Sequence, residues 1–89
     1  MNIHVPDDIG WTLEEDESGT AVLYLAHLPN GPICVLQGTA ATIWLAARDG
    51  VGDVVAEVAD AYEMPQETVR ADVERFIDEL VGQGLIRRT

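Results

Sequence analysis

Near Gly38 the spacing of apolar residues in this chain changes its period. Before it, β-compatible residues run in short stretches broken by turn signals; after it, apolar residues recur every three or four positions. A period of two sends alternate side chains to opposite faces of a strand. A period near 3.6 gathers them into one stripe on a helix. The front half therefore reads as strands and the back half as helices.

Residues 1–10 read as an irregular lead-in or a short edge strand, punctuated by Pro6 and Gly10. Trp11 to Glu15 reads as a first strand, Glu17-Ser18-Gly19 as a turn, and Thr20 to His27 as a second strand. Leu28-Pro29-Asn30-Gly31 is a strong turn signal, because Pro presets φ and Asn-Gly tolerates positive φ. Pro32 to Leu36 is a short third strand. A Pro at its start has no N–H to give to a ladder, so this strand is expected to begin at or lie on a sheet edge.

From Gly38 onward three helices are expected. Thr39 fits the N-cap of the first, Ile43, Trp44 and Ala47 share its buried face, and Asp49-Gly50 ends it. Val51, Val54, Val55, Val58 and Tyr62 follow an i, i+3, i+4, i+7, i+11 pattern, a second amphipathic helix. Met64-Pro65 breaks it, Pro65 suits the first position of a third helix, and Glu67 complements that helix's dipole. Val69, Val73, Phe76 and Leu80 form the third stripe, widened by Ile77 and Val81. Gly82 and Gly84 stop it, and Leu85-Ile86 fold back as an apolar tail. The expected fold is α+β: a winged helix-turn-helix-like arrangement, with an N-terminal three-stranded antiparallel sheet followed by three helices.

Length makes residues 1–89 a single domain. Sixteen Asp and Glu face five basic residues, all Arg, for a net charge of -11. Binding to phosphate backbones or to anionic membranes requires the opposite sign, so nucleic acid and membrane are not expected partners. A single cysteine, Cys34, excludes an intrachain disulfide and a four-cysteine zinc site. The start lacks a signal peptide's basic and apolar regions, and no apolar run reaches membrane-spanning length. The expected location is the cytoplasm.

No catalytic constellation assembles. His4 and His27 stand at no metal-ligand spacing with each other or with Cys34, and read as solvent-facing. A Cys34–His27 pair across the hairpin has no third group, and a small buried thiol is the plainer reading. Glu14-Glu15-Asp16-Glu17 lacks the alternating ligands and Gly of a calcium loop and reads as a solvated turn. Gly50-Val51-Gly52 lacks the Lys and spacing of a phosphate loop. Trp11, Trp44, Tyr62 and Phe76 are expected in the core. The chain thus reads as no enzyme, with no metal and no cofactor.

The third helix also argues against reading DNA. It carries Glu67, Asp72, Glu74, Asp78 and Glu79 against Arg70 and Arg75, and such a surface repels phosphates. A transcriptional regulator is therefore the weaker use of this fold. The physically attractive site is the edge of the sheet, where an unpaired strand accepts an extended peptide. The plain alternative is that Ile33, Val35 and the third-helix stripe only build the core.

The stretch Val35-Leu36-Gln37-Gly38-Thr39-Ala40-Ala41-Thr42-Ile43-Trp44 resembles the PqqD family, the peptide-recognition domains of ribosomal peptide biosynthesis (RiPP recognition elements). Asp49-Gly50, Val54 to Val58, Tyr62-Glu63-Met64-Pro65, Val69, Asp72-Val73, Phe76-Ile77, Leu80 and Gly84-Leu85-Ile86 extend the likeness over residues 20–86. Gly38 and Gly52 depart from it, standing where a polar residue or helix cap is more usual.

The resemblance implies a non-catalytic domain. In it the leader region of a precursor peptide is added as a strand beside the third strand, against the third helix. Carried onto this chain, the strand side is Ile33, Cys34, Val35 and Leu36. The helix side is Val69, Asp72, Val73 and Phe76, with Arg75 or Arg70 as polar contacts. Of the family's types, the resemblance points to the discrete lasso-peptide leader-binding protein, working with a leader peptidase and a cyclase. The pyrroloquinoline-quinone type, which partners a radical SAM enzyme, is the competitor. An acidic surface suits a leader carrying Lys or Arg.

Overall fold

The computed structural model describes residues 3–50 and 52–88. Its elements run β1 (Ile3–His4), β2 (Ile9–Glu15), β3 (Ala21–His27), β4 (Ile33–Gln37), α1 (Gly38–Arg48), α2 (Val54–Ala61), α3 (Gln66–Gly82) and β5 (Arg87–Arg88). Strands β2, β3 and β4 form one antiparallel sheet in that order, and three helices follow it, as the change of period implies. The register is unbroken, from Ile9 opposite His27 to Glu15 opposite Ala21, and from Val22 opposite Gln37 to Ala26 opposite Ile33.

Leu23 and Leu25 project from the middle strand onto the helices and are fully covered, together with Ile43, Trp44, Val54, Val58, Val73 and Ile77. Helix α1 touches β3, β4, α2 and α3, so it is the hub on which sheet and helices meet. Its Trp44 donates its indole N–H to the carbonyl oxygen of Leu85 at 3.1 Å. Helices α2 and α3, joined through residues 62–65, pack on each other and on α1, an arrangement compatible with a helix-turn-helix. Among the described residues no helix is long and apolar enough to cross a membrane.

The helix ends explain themselves by backbone chemistry. At the end of α3, Leu85 N–H donates to Leu80 O and Gly84 N–H to Val81 O, both at 3.0 Å. These two bonds are the Schellman pair, which requires a left-handed residue. Gly84 supplies it with φ 73°. Leu85 and Leu80 are both buried there, so the same turn tucks the apolar tail into the core.

Helix α2 ends in the same way, with Met64 N–H on Ala59 O at 2.9 Å and Glu63 N–H on Asp60 O at 3.3 Å. Here the left-handed residue is Glu63, with φ 51°. That conformation costs an L-residue about 1–2 kcal/mol, of which the greater freedom of an unfolded glycine returns part. Glu63→Gly is therefore expected to stabilise the domain by about 0.5–1 kcal/mol, read as a higher urea midpoint at unchanged slope.

Several boundaries differ from the sequence reading. Gln37, not Thr39, is the N-cap of α1, and no side chain caps that end. Pro65 is the extended N-cap of α3 (φ -62°, ψ 144°) rather than its first helical residue. Asp53 caps α2 through its carboxylate, which accepts the Ala56 N–H at 3.0 Å. Val51, expected in the second stripe, lies outside the described residues.

Neither Asn30 nor Gly31 takes a positive φ, and the Leu28–Pro29 peptide is cis. Gly31 is required there by crowding, since a Cβ would stand 2.7 Å from both Cβ and O of His27. His27 is not simply solvent-facing. Its Nε2 lies 3.2 Å from Gln83 O and its Nδ1 3.5 Å from Asp8 Oδ2, tying the sheet to the end of α3.

Two aromatic expectations also fail. Trp11 and Tyr62 are exposed, Trp11 because it stands on the outermost strand and Tyr62 because it is the C-cap of α2, past the last buried turn. The two-residue strands β1 and β5 pair antiparallel, Ile3 opposite Arg88 and His4 opposite Arg87. They are too short to carry a period.

Candidate functional site

The direction of each backbone group in the sheet follows from two bonds that bracket β2 and β3. Asp16 N–H donates to Thr20 O at 2.9 Å, and Leu28 N–H donates to Asp8 O at 2.7 Å. In an antiparallel ladder, hydrogen-bonded pairs recur at every second residue, and both groups of a residue point the same way. The bonded pairs between β2 and β3 are then Gly10–Ala26, Thr12–Tyr24 and Glu14–Val22. On β3 this leaves Leu23 and Leu25 to bond toward β4, through Leu36 and Cys34. Ile33, Val35 and Gln37 therefore turn their N–H and C=O groups to the open edge of β4. Among the described residues no strand pairs with that edge.

The side chains sort with the same parity. Cys34 and Leu36 lie on the covered face and pack against the core. Ile33 and Val35 stand on the opposite face, 72% and 54% exposed. Beside them, on that outer face, a shallow depression of about 200 Å³ is lined by Gly10, Thr12, Tyr24, Ala26 and Ile33 among others. Its floor is low because Gly10 sits opposite Ala26. An extended chain laid on β4 would thus find three residues' worth of free backbone groups and an apolar surface.

Helix α3 divides its candidates between core and surface. Val73 is 0% exposed and Val69 7%, so both belong to the core. Phe76 is half-buried and packs on the core's margin. Asp72 and Arg75 are exposed and 3.6 Å apart, and the Arg75 guanidinium lies over the Phe76 ring at 5.3 Å from its centre. Arg70 is exposed on the same helix. The structure thus brings Cys34, Leu36, Val69, Val73 and Phe76 to one core, and leaves Ile33, Val35, Asp72 and Arg75 at the surface.

Gln37 is the edge residue that the sequence reading passes over. The signal for it was the two-residue period through Ile33 and Val35, which continues to it. Asp16 is the group whose pKa departs clearly, held below the usual carboxylate range first by the Ser18 hydroxyl and then by the Thr20 and Ser18 amides of its own turn. Among the described residues, no three His, Cys, Asp or Glu side chains gather as a metal site.

A family model described as Coenzyme PQQ synthesis protein D (PqqD) matches residues 19–86. No curated protein and no solved structure matches the chain.

Proposed function

The chain belongs to the PqqD family, and from that premise we propose that it binds the leader region of a ribosomally made precursor peptide by strand addition to β4. The family's role is peptide binding in ribosomal peptide biosynthesis, and it is non-catalytic. The observation that carries the reading here is the open edge formed by Ile33, Val35 and Gln37. A leader strand would bond to these three residues. Its side chains would alternate between the outer face, beside Ile33 and Val35, and the helix face, beside Cys34 and Leu36. Asp72, Arg75 and Phe76 offer a paired charge and an aromatic edge on the helix proposed to flank it.

The partner enzyme is the finer part of the proposal. The resemblance read from the residues favours the lasso-peptide pathway, in which the domain presents its precursor to a leader peptidase and a cyclase. The description of the matched family favours pyrroloquinoline quinone synthesis, for which the resemblance implies a radical SAM partner. A net charge of -11 suits a leader bearing Lys or Arg in either case. It equally disfavours a regulator that grips duplex DNA.

The test is a titration by fluorescence anisotropy. Labelled N-terminal halves of a lasso-type precursor and of a quinone-type precursor encoded beside this gene are the probes, against a scrambled peptide and a DNA duplex. Saturable binding of one leader, with none of the controls, is the expected result and names the pathway. Equal binding of the scrambled peptide, or no binding of either leader, overturns the reading.

A further inference from the structure

The sheet has a second open edge. On β2, the bonded pairs to β3 use Gly10, Thr12 and Glu14, so Trp11, Leu13 and Glu15 turn their N–H and C=O groups away from the sheet, while the outward N–H of Ile9 is taken by the Pro6 carbonyl at 3.4 Å. Among the described residues no strand pairs with that side. The same parity puts the side chains of Trp11 and Leu13 on the helix face, yet they are 41% and 45% exposed, since β2 stands at the margin of what the helices cover. Trp11 is held rather than loose. Its ring meets the buried Trp44 ring at 5.4 Å between centres, and the Arg48 guanidinium lies over it at 4.5 Å.

Edge strands are normally blunted by Pro, by a bulge, by charged side chains, most often lysine, or by being short. β2 has seven residues, no Pro and no Lys, and its register is unbroken. Its charges are Glu14 and Glu15, one on each face. They penalise acidic arrivals and favour basic ones. A second copy of the chain brings another net charge of -11 with its own Glu14 and Glu15, so self-pairing is opposed.

We propose that the β2 edge is a second strand-addition site, distinct from β4, and that its occupant is an extended basic segment of a partner protein. Run antiparallel, that segment places apolar side chains opposite Trp11 and Leu13, and Lys or Arg opposite Glu15 and Glu14. The reading does not depend on what β4 binds. Each edge lies on its own side of β3, so both are open at once, and one domain can hold a peptide on β4 while docking through β2.

The probe that matches this register is acetyl-Arg-Arg-Val-Thr-Val-Thr-Val-amide, titrated into the ¹⁵N-labelled protein, with the peptide carrying Glu for both Arg as control. The expected result is saturable shifting of the Trp11, Leu13 and Glu15 amides, with the acidic peptide inert. Leu13→Lys and Glu15→Lys are each expected to weaken the probe at least tenfold. Both residues are exposed, and the amide spectrum itself reports that each variant is folded. A leader bound at β4 should keep its affinity in both variants. Shifts confined to Ile33, Val35 and Gln37, no saturable shift, or equal binding of the acidic peptide each overturn the proposal. So does a dimer in light scattering that Leu13→Lys dissolves, since the occupant would then be a second copy.

Discussion

Trp44→Ala is expected to remove most of the domain's stability. Trp44 is fully buried in α1, the helix that touches sheet and helices alike. Removing a buried Trp side chain costs about 3–5 kcal/mol, counting lost transfer energy and the cavity left behind. Small domains hold only about 5–15 kcal/mol in total, and one of this size sits toward the lower end. The indole N–H is lost as well, which leaves the Leu85 carbonyl without that donor. For a domain of this length the thermal midpoint should fall by more than about 15 °C. Trp44→Phe separates the two contributions. It keeps most of the packing and removes the hydrogen bond, so a smaller loss of about 1–3 kcal/mol is expected in urea unfolding. Equal destabilisation by both variants would show that the bond to Leu85, and not the ring's volume, anchors the tail. Because Leu85 leads directly into β5, the hydrogen-exchange protection of Arg87 and Arg88 should fall with either variant.

Why Trp44 was legible in the sequence and Trp11 was not is a matter of how far a period reaches. A helix repeats its stripe over many residues, so Ile43, Trp44 and Ala47, or Val69, Val73, Phe76 and Leu80, announce their inward face from spacing alone. A strand's period of two says which residues share a face. It does not say whether anything covers that face. Trp11 and Leu13 share the face of the buried Leu25 and Leu23, yet they stand on the outer strand, where helix cover is only partial. Tyr62 fails for a related reason, since the spacing continues one residue past the point where α2 stops at Ala61. The pairing of β1 with β5 joins residues from opposite ends of the chain, and nothing local in two residues signals it.

The same limit divides the candidate site. Ile33 to Leu36 were identifiable as an edge strand because Pro32 stands before them and a turn signal before that. Which of the four offer backbone groups to a ligand depends on the parity of the ladder, and that is set by hydrogen bonds at the far ends of β2 and β3. On α3, the resemblance made Val69 and Val73 candidates, yet their apolar spacing is that of a core stripe, and both are buried. Asp72 and Arg75 are the surface members of the same two turns.

Parity also makes the sharpest test of peptide binding. Val35→Pro should fold and should lose leader affinity by about tenfold or more. Val35 lies at the middle of the open edge, so its N–H serves no bond within the sheet. Proline is tolerated at such edge positions. The ring deletes that donor and puts a methylene where the incoming strand's carbonyl would lie. One lost hydrogen bond contributes about 0.5–1.5 kcal/mol, and about 1.4 kcal/mol corresponds to tenfold in affinity, to which the steric wedge adds. Cys34→Pro is the counterpart. Its N–H bonds inward to Leu25, so this variant should lose stability instead, by the cost of a broken ladder and a disturbed core contact. Circular dichroism and urea unfolding separate the two outcomes before any peptide is added. A folded Val35→Pro that binds the leader at full strength would exclude strand addition at this residue. The binding surface would then lie elsewhere, with the outer-face depression between Tyr24, Ala26 and Ile33 the next place to map. Loss of binding in Val35→Pro, with the fold intact and with Leu13→Lys still binding the leader, would assign the peptide to β4 and leave β2 free for a second partner.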